Sequence, residues 1–171
     1  MRIAVVTGNP KPASRTHGVA LAVADALGAA PSIVIDLAEY ASRLFDWADA
    51  ELSSLTASVA SADVAIFASP TYKAAYTGLL KAFLDRYGSN GLAGVVAVPV
   101  MTGGWAGHSL AVEVHLRPVL VELGAVVPSR GLYVTEPELP DLTAAVSKWG
   151  ATAIPLIRSA TPADPRPATP R

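Results

Sequence analysis

The stretch from Met1 to Thr16 constrains the fold of this chain most. Ile3-Ala4-Val5-Val6-Thr7 is a short, continuous apolar run rich in β-branched residues, and it ends at Gly8. Asn9-Pro10-Lys11-Pro12-Ala13-Ser14-Arg15-Thr16 follows, and an Ala/Val/Leu-rich helical pattern then runs from Gly18 to Leu27. A strand with no polar alternation has both faces covered, and a helix directly after it makes it a strand of a parallel sheet. The loop between them sits at the carboxyl end of the strand, the edge where open α/β sheets bind ligands.

The same unit recurs along the chain. Helix one is expected over Thr16 to Leu27, with Ser14 or Thr16 as its N-cap, and Ser32 to Asp36 reads as a second strand. Leu37 to Ala48 is irregular and carries Tyr40, Phe45 and Trp47; Asp49 to Ala60 has helical spacing. The strand Val64 to Ala68 is expected to stop at Ser69-Pro70, since the residue before a proline is restricted. A loop at Thr71 to Ala75 leads to an amphipathic helix over Tyr76 to Tyr87, with Leu79, Leu80, Phe83 and Leu84 inward. Gly78 would let this helix pack closely, and Lys81 and Asp85, four apart, read as a structural pair. Val95 to Met101 is the most hydrophobic strand, although Pro99 weakens it at that point. A helix from Gly107 to Leu123 should be kinked or remodelled at Pro118, and Val126 to Val134 reads as a fifth strand bent at Pro128. Leu142 to Arg158 makes a closing helix.

Five such units predict an α/β doubly wound parallel sheet of five strands, in the flavodoxin-like order 2-1-3-4-5. One domain over residues 1–158 suits a chain of 171 residues. The tail 159–171 holds four of the fourteen prolines and is expected to be disordered. In this strand order the ligand crevice opens between strands one and three. The loops Gly8 to Thr16, Pro70 to Ala75 and Thr102 to Gly104 then converge on one edge.

Composition narrows what those loops could hold. The absence of cysteine removes disulfides, thiol redox chemistry and thiolate metal sites, and three histidines without ligand spacing leave no metal motif. A formal net charge of -1 gives no electrostatic reason to expect nucleic acid. No apolar stretch is long enough to span a bilayer, and the N-terminus does not resemble a secretory signal, so a cytoplasmic protein is expected. Charged residues make up only 16%, against about 25% in typical domains, which suits a doubly covered sheet and further apolar surface in an oligomer.

In the first loop, Asn9 supplies an amide, Ser14 and Thr16 hydroxyls, and Lys11 and Arg15 positive charge, while the following helix offers unpaired N–H groups. Together these suit a phosphate monoester. The same residues would serve an ordinary capped βα connection, and position alone does not separate the two. Neither G-x-x-x-x-G-K-S/T nor G-x-G-x-x-G is present, so Asp36 reads as a strand-end or turn residue rather than a ribose ligand.

The second loop separates them. Ser69-Pro70-Thr71-Tyr72-Lys73-Ala74-Ala75-Tyr76-Thr77-Gly78-Leu79-Leu80-Lys81-Ala82-Phe83-Leu84-Asp85 resembles the S-P-x-Y-x-x-S-x-x-G-x-L-K-x-x-L-D signature of NAD(P)H-dependent FMN reductases. The first loop is similar to that family's G-S-x-R-x-x-S-x-S/T, with Asn9 where Ser is usual and Lys11 where Arg is usual. Thr102 to Val112 and Leu116 to Leu120 are similar to FMN reductases that feed alkanesulfonate monooxygenases. The resemblance implies that Asn9, Lys11, Ser14, Arg15 and Thr16 surround an FMN phosphate. It implies that Pro70, Thr71, Tyr72 and Lys73 line the isoalloxazine, largely through backbone groups, with Thr102, Gly103 and Gly104 closing the other side. Hydride would pass from NADPH or NADH to flavin N5, so no protein residue is named as catalytic and no metal is needed. His108 reads as a helix-start or packing residue and His115 as structural.

The resemblance further implies a homodimer or homotetramer and a partner flavin-dependent monooxygenase. Those reductases can carry a one-residue π-type bulge marked by Tyr or His; the matching position here is Val114, beside His115, so the sequence leaves the bulge open. The alternatives are an FMN-bound quinone, azo or chromate reductase, and a non-enzymatic flavodoxin-like electron carrier.

Overall fold

Runs of β-branched and small apolar residues become β1 (Ile3–Thr7), β2 (Ile33–Asp36), β3 (Val64–Pro70), β4 (Val96–Gly103) and β5 (Leu132–Thr135). In the computed structural model, which describes residues 1–162, they form one parallel sheet in the expected order β2-β1-β3-β4-β5. Helices α1 (Arg15–Leu27) and α5 (Leu142–Ala160) cover one face; α2 (Ala50–Ala60), α3 (Gly78–Leu84) and α4 (Arg117–Glu122) cover the other. Successive strand residues feed the two cores in turn, as the two-residue period of a strand requires. Ile3, Val5, Ile66 and Val98 pack with Val19, Val23 and Ile157, whereas Ala4, Val6, Phe67 and Met101 pack with Leu52, Leu80, Phe83 and Leu120.

Two strands depart from expectation at prolines, for one reason. β3 does not stop at Ser69 but continues through Pro70, which registers with Thr102. The Gly8 N–H donates to Ala68 O and the Thr71 N–H to Thr102 O, so Pro70 faces the β1 side, beyond the last paired residue of β1. No ladder hydrogen bond is lost by its missing N–H. Pro99 sits inside β4 on the side that faces β5, two residues after Ala97, whose N–H donates to Val126 O. The fifth strand is split there: Val126 makes an isolated bridge with Val96, the chain leaves the sheet, and β5 begins only at Leu132. The gap in pairing falls opposite the proline that could not have donated to it.

The helix expected over Gly107 to Leu123 is broken into a 3-10 turn at Ala106–His108, a π-helical turn at Val112–Leu116, and α4. The bulge left open by the sequence is therefore present. Pro118 cannot donate, and in a regular helix its ring would strike the carbonyl four residues back; the wider turn, closed by the Arg117 N–H to Val112 O, relieves that clash. Arg117 also donates to Val127 O (2.7 Å) and Ser129 O (2.9 Å), and Glu113 accepts from the Gly131 N–H (2.6 Å). These contacts hold the segment that leaves the sheet between Val126 and Leu132.

α3 is shorter than expected because Thr77 caps it, accepting from the Leu80 N–H. Gly78 is exposed, and a Cβ there would meet nothing within 4 Å; the close approach is instead at Gly8, where a Cβ would lie 2.4 Å from Leu80 Cβ. α5 runs to Ala160, two residues into the stretch expected as tail; residues 163–171 lie outside the described residues. Among the described residues no helix is long and apolar enough to cross a membrane.

Candidate functional site

The first loop is shaped by its own polar side chains. Ser14 is the N-cap of α1 and accepts from the His17 N–H (3.2 Å). Asp36, at the end of β2, accepts from the Ala13 N–H (2.9 Å) and the Ala38 N–H (3.2 Å), and Ala13 adopts a φ of 47°. Asp36 thus acts as a turn residue, as read from the sequence. Asn9 is buried; its Oδ1 accepts from the Lys11 N–H (3.0 Å) and its Nδ2 donates to Thr16 Oγ1 (3.3 Å). Thr16 Oγ1 lies 2.7 Å from Thr102 Oγ1, so a chain of buried hydrogen bonds ties the loop after β1 to the end of β4.

The second loop is tied to the third through its backbone. The Thr71 N–H donates to Thr102 O (2.7 Å), and Tyr72 and Ala75 exchange backbone hydrogen bonds around Lys73 and Ala74. These two residues have φ values of 51° and 65°, the pattern of a type I′ turn, for which Asn-Gly is the usual sequence. Two non-glycine residues held there mark stored strain beside the site. Thr77 Oγ1 donates to Gly8 O (2.5 Å), joining this loop to the first. The Tyr133 hydroxyl accepts from Thr71 Oγ1 and donates to Trp105 O, both at 3.3 Å. A Cβ at Gly103 would lie 2.0 Å from that hydroxyl, so any larger residue there would displace the tip of Tyr133 and break this clamp.

One cavity of about 320 Å³ opens where these loops meet. Asn9, Lys11, Ser14, Arg15, Thr16, Pro70, Thr71, Tyr72, Thr102, Gly103 and Gly104 all line it. Lys73 does not; it stands at the exposed tip of the turn. His108 and His115 do not line it either: His108 packs edge-on against Trp105, and His115 is exposed on the π turn. Lys81 and Asp85 form the expected ion pair on α3, outside the cavity.

Four contributors lie outside the site residues expected from the sequence, and one of them, Ala13, belongs to the first loop itself. Tyr133 clamps two loops, while Glu136 and Leu139 form the far wall of the cavity. Tyr133 lies in β5, and Glu136 and Leu139 in the turn after it, which the strand order brings to the same edge as the ends of β1, β3 and β4; the position of that fifth strand is the signal in the sequence that points to them. Glu136 opens a 3-10 segment, Glu136–Asp141, and its carboxylate pairs with Arg15 at 2.6 Å. The segment is pinned by Glu138, which accepts from the Thr135 hydroxyl (2.6 Å) and the Thr135 N–H (2.8 Å). Those two hydrogen bonds, the hydroxyl's first, hold the Glu138 carboxyl below its ordinary range.

Residues 1–138 match the family model for NADPH-dependent FMN reductases. The chain belongs to that family. An NADH-dependent FMN reductase of Pseudomonas putida is 34% identical over 144 residues, which span 79% of this chain and 77% of its own. An NADPH-dependent FMN reductase of Pseudomonas aeruginosa is 32% identical over 143 residues, with the same coverage of 79% and 77%. Among solved structures, an NADH:FMN oxidoreductase in its apo form superimposes with a TM-score of 0.83 at 29% identity, covering 96% of this chain and 91% of that one. The match to the FMN reductase family spans all three loops and ends at Glu138, so it includes Glu136 but not Leu139.

Proposed function

We propose that this chain is an NAD(P)H-dependent FMN reductase whose flavin enters and leaves the cavity as a substrate. The observation that carries the reading is the buried floor Asn9–Thr16–Thr102, which joins loops from two strand ends beneath one cavity in a chain of the FMN reductase family. The residues present suit FMN. Asn9, Lys11, Ser14, Arg15 and Thr16 would hold the phosphate at the N-terminus of α1, where unpaired N–H groups and the helix dipole favour an anion. Pro70, Thr71, Tyr72, Thr102, Gly103 and Gly104 would border the ring, without Lys73, which the turn carries away from the cavity; nothing lies within 4 Å of a Cβ built at Gly104, which leaves its backbone open to a flat partner.

Bound flavin supplies the hydride acceptor for NADPH or NADH. The chain's own task is to position two flat rings, keep water from them, and grip a phosphate; no side chain is required as an acid or base. Relatives named for NADH and for NADPH match comparably, so the nucleotide is an outcome of the assay. Transfer of reduced flavin to a partner monooxygenase is supported by the π turn at Val112–Leu116, together with the similarity of residues 102–112 and 116–120 to reductases of that kind. A homo-oligomer is supported by the exposed apolar residues Leu110, Val114 and Val121 on the same segment.

Anaerobic kinetics with FMN and both nucleotides varied, plus flavin content after purification, test the reading. FMN-dependent nucleotide oxidation with substoichiometric bound flavin is expected. Stoichiometric flavin would favour a quinone, azo or chromate reductase, and FMN binding without nucleotide oxidation would favour an electron carrier.

A further inference from the structure

We propose that Glu136 sets how tightly the cavity holds an anionic flavin, by competing with the ligand's phosphate for Arg15. This rests on the assignment of the Gly8–Thr16 loop to that phosphate. Among the residues lining the cavity, Lys11 and Arg15 are basic and Glu136 alone is acidic. Arg15 and Glu136 lie 121 positions apart in sequence, yet their side chains meet at 2.6 Å across the cavity rim. The guanidinium that should meet a phosphate at the start of α1 is therefore already engaged by a carboxylate.

The backbone that carries Glu136 is held at the cavity rim. Pro137 follows it, and the Thr135–Glu138 hydrogen bonds fix the turn that carries it. Arg15, Glu136 and Leu139 also form the wall shared with a shallower groove of about 470 Å³, whose other lining residues are Gly18, Pro140 and Leu142. That groove offers Glu136 no second cation. A phosphate that takes Arg15 leaves a carboxylate unpaired beside its own negative charge. A flavin without phosphate meets neither cost. Glu136 therefore lowers affinity for FMN selectively and favours rapid exchange, as flavin used as a substrate requires.

The test is fluorescence titration of FMN and riboflavin against wild type, Glu136→Gln, Glu136→Ala, Arg15→Ala and the Arg15→Ala/Glu136→Gln double variant. The pair is solvent-exposed, with side-chain accessibilities of 69% and 53%, so the variants are expected to fold and the effect to be moderate. Glu136→Gln and Glu136→Ala should tighten FMN about three- to tenfold and change riboflavin less than about twofold. The gain should shrink in the Arg15→Ala background. Unchanged FMN affinity, equal tightening of both flavins, or an undiminished gain without Arg15 would each overturn the proposal. Failure of the phosphate assignment itself reads differently: Arg15→Ala would then weaken FMN no more than riboflavin.

Discussion

A Cβ built at Gly8 lies 2.4 Å from the Cβ of Leu80 and 2.9 Å from its Cα, and Leu80 is fully buried on α3. Neither contact can be relieved by turning a flexible side chain, so Gly8→Ala must push α3 away from β1. Overpacking of this kind costs about 1–3 kcal/mol, read as a lower urea midpoint. The same shift strains the Thr77–Gly8 hydrogen bond and so reaches the cavity. Gly78→Ala should do the reverse: at the exposed first residue of α3, with open space around it, alanine gains up to about 1 kcal/mol from helix propensity. A large loss at Gly78 would sink this account of the packing. The sequence pointed to Gly78 because it lies in the helix and matches the family signature. The residue that needs to be glycine sits on the opposing strand, where only the register of helix against sheet reveals it. Asn9 was legible in part. Its departure from the usual Ser marked it as unusual, but its role as a buried crosslink between Lys11 and Thr16 depends on a fold that brings Thr102 alongside.

The type I′ turn at Lys73-Ala74 joins strand, loop and helix at the element scale. Both residues lie in the left-handed region, which costs an L-residue roughly 1–2 kcal/mol. Ala74→Gly should recover part of this, raising stability by about 0.5–1 kcal/mol by urea unfolding. An unchanged or lower midpoint would mean that the turn is not strained. The 3-10 segment after β5 answers to pH instead. The Glu138 carboxyl is depressed in the folded state by its two hydrogen bonds from Thr135, so its contribution is present above the ordinary carboxylate range. That contribution is lost as pH falls through the folded value. Glu138→Gln should therefore lower stability near neutrality and flatten its decline on acidification; parallel pH profiles for variant and wild type would refute this. Elements were readable where one signal dominated, as in the apolar runs of β1, β3 and β4. The broken helix at 106–122 and the split fifth strand were not. Pro118 and Pro99 announced that something must give, yet a proline says what is forbidden and not which alternative replaces it. Here the alternatives are a π turn and a gap in pairing, bridged by Glu113 and Arg117.

At the scale of the whole molecule, the strand order was legible because repeated β-α units, joined by right-handed crossovers, leave few ways to wind a five-stranded sheet. That order also fixes which segments remain uncovered. The stretch from 106 to 122 flanks the outer strand β5 and presents Leu110, Val114 and Val121 at 60%, 56% and 52% exposure, with Pro118 exposed between them. These residues fall four, four and three positions apart, so they recur on the outside of the segment while Val112, Leu116 and Leu120 stay buried. In a chain with only 16% charged residues, apolar side chains grouped in this way are what supports the homo-oligomer proposed above. A second copy is the simplest partner, because a symmetric contact needs only a self-complementary patch. Light scattering of the wild type should then give a dimer or tetramer, and Val114→Lys or Leu110→Lys should shift the mass toward the monomer. Both sites face outward, so unfolding midpoints should change by no more than the loss of the interface accounts for. A monomeric wild type at micromolar concentration would remove the homo-oligomer, and the exposed stripe would then belong to a different partner.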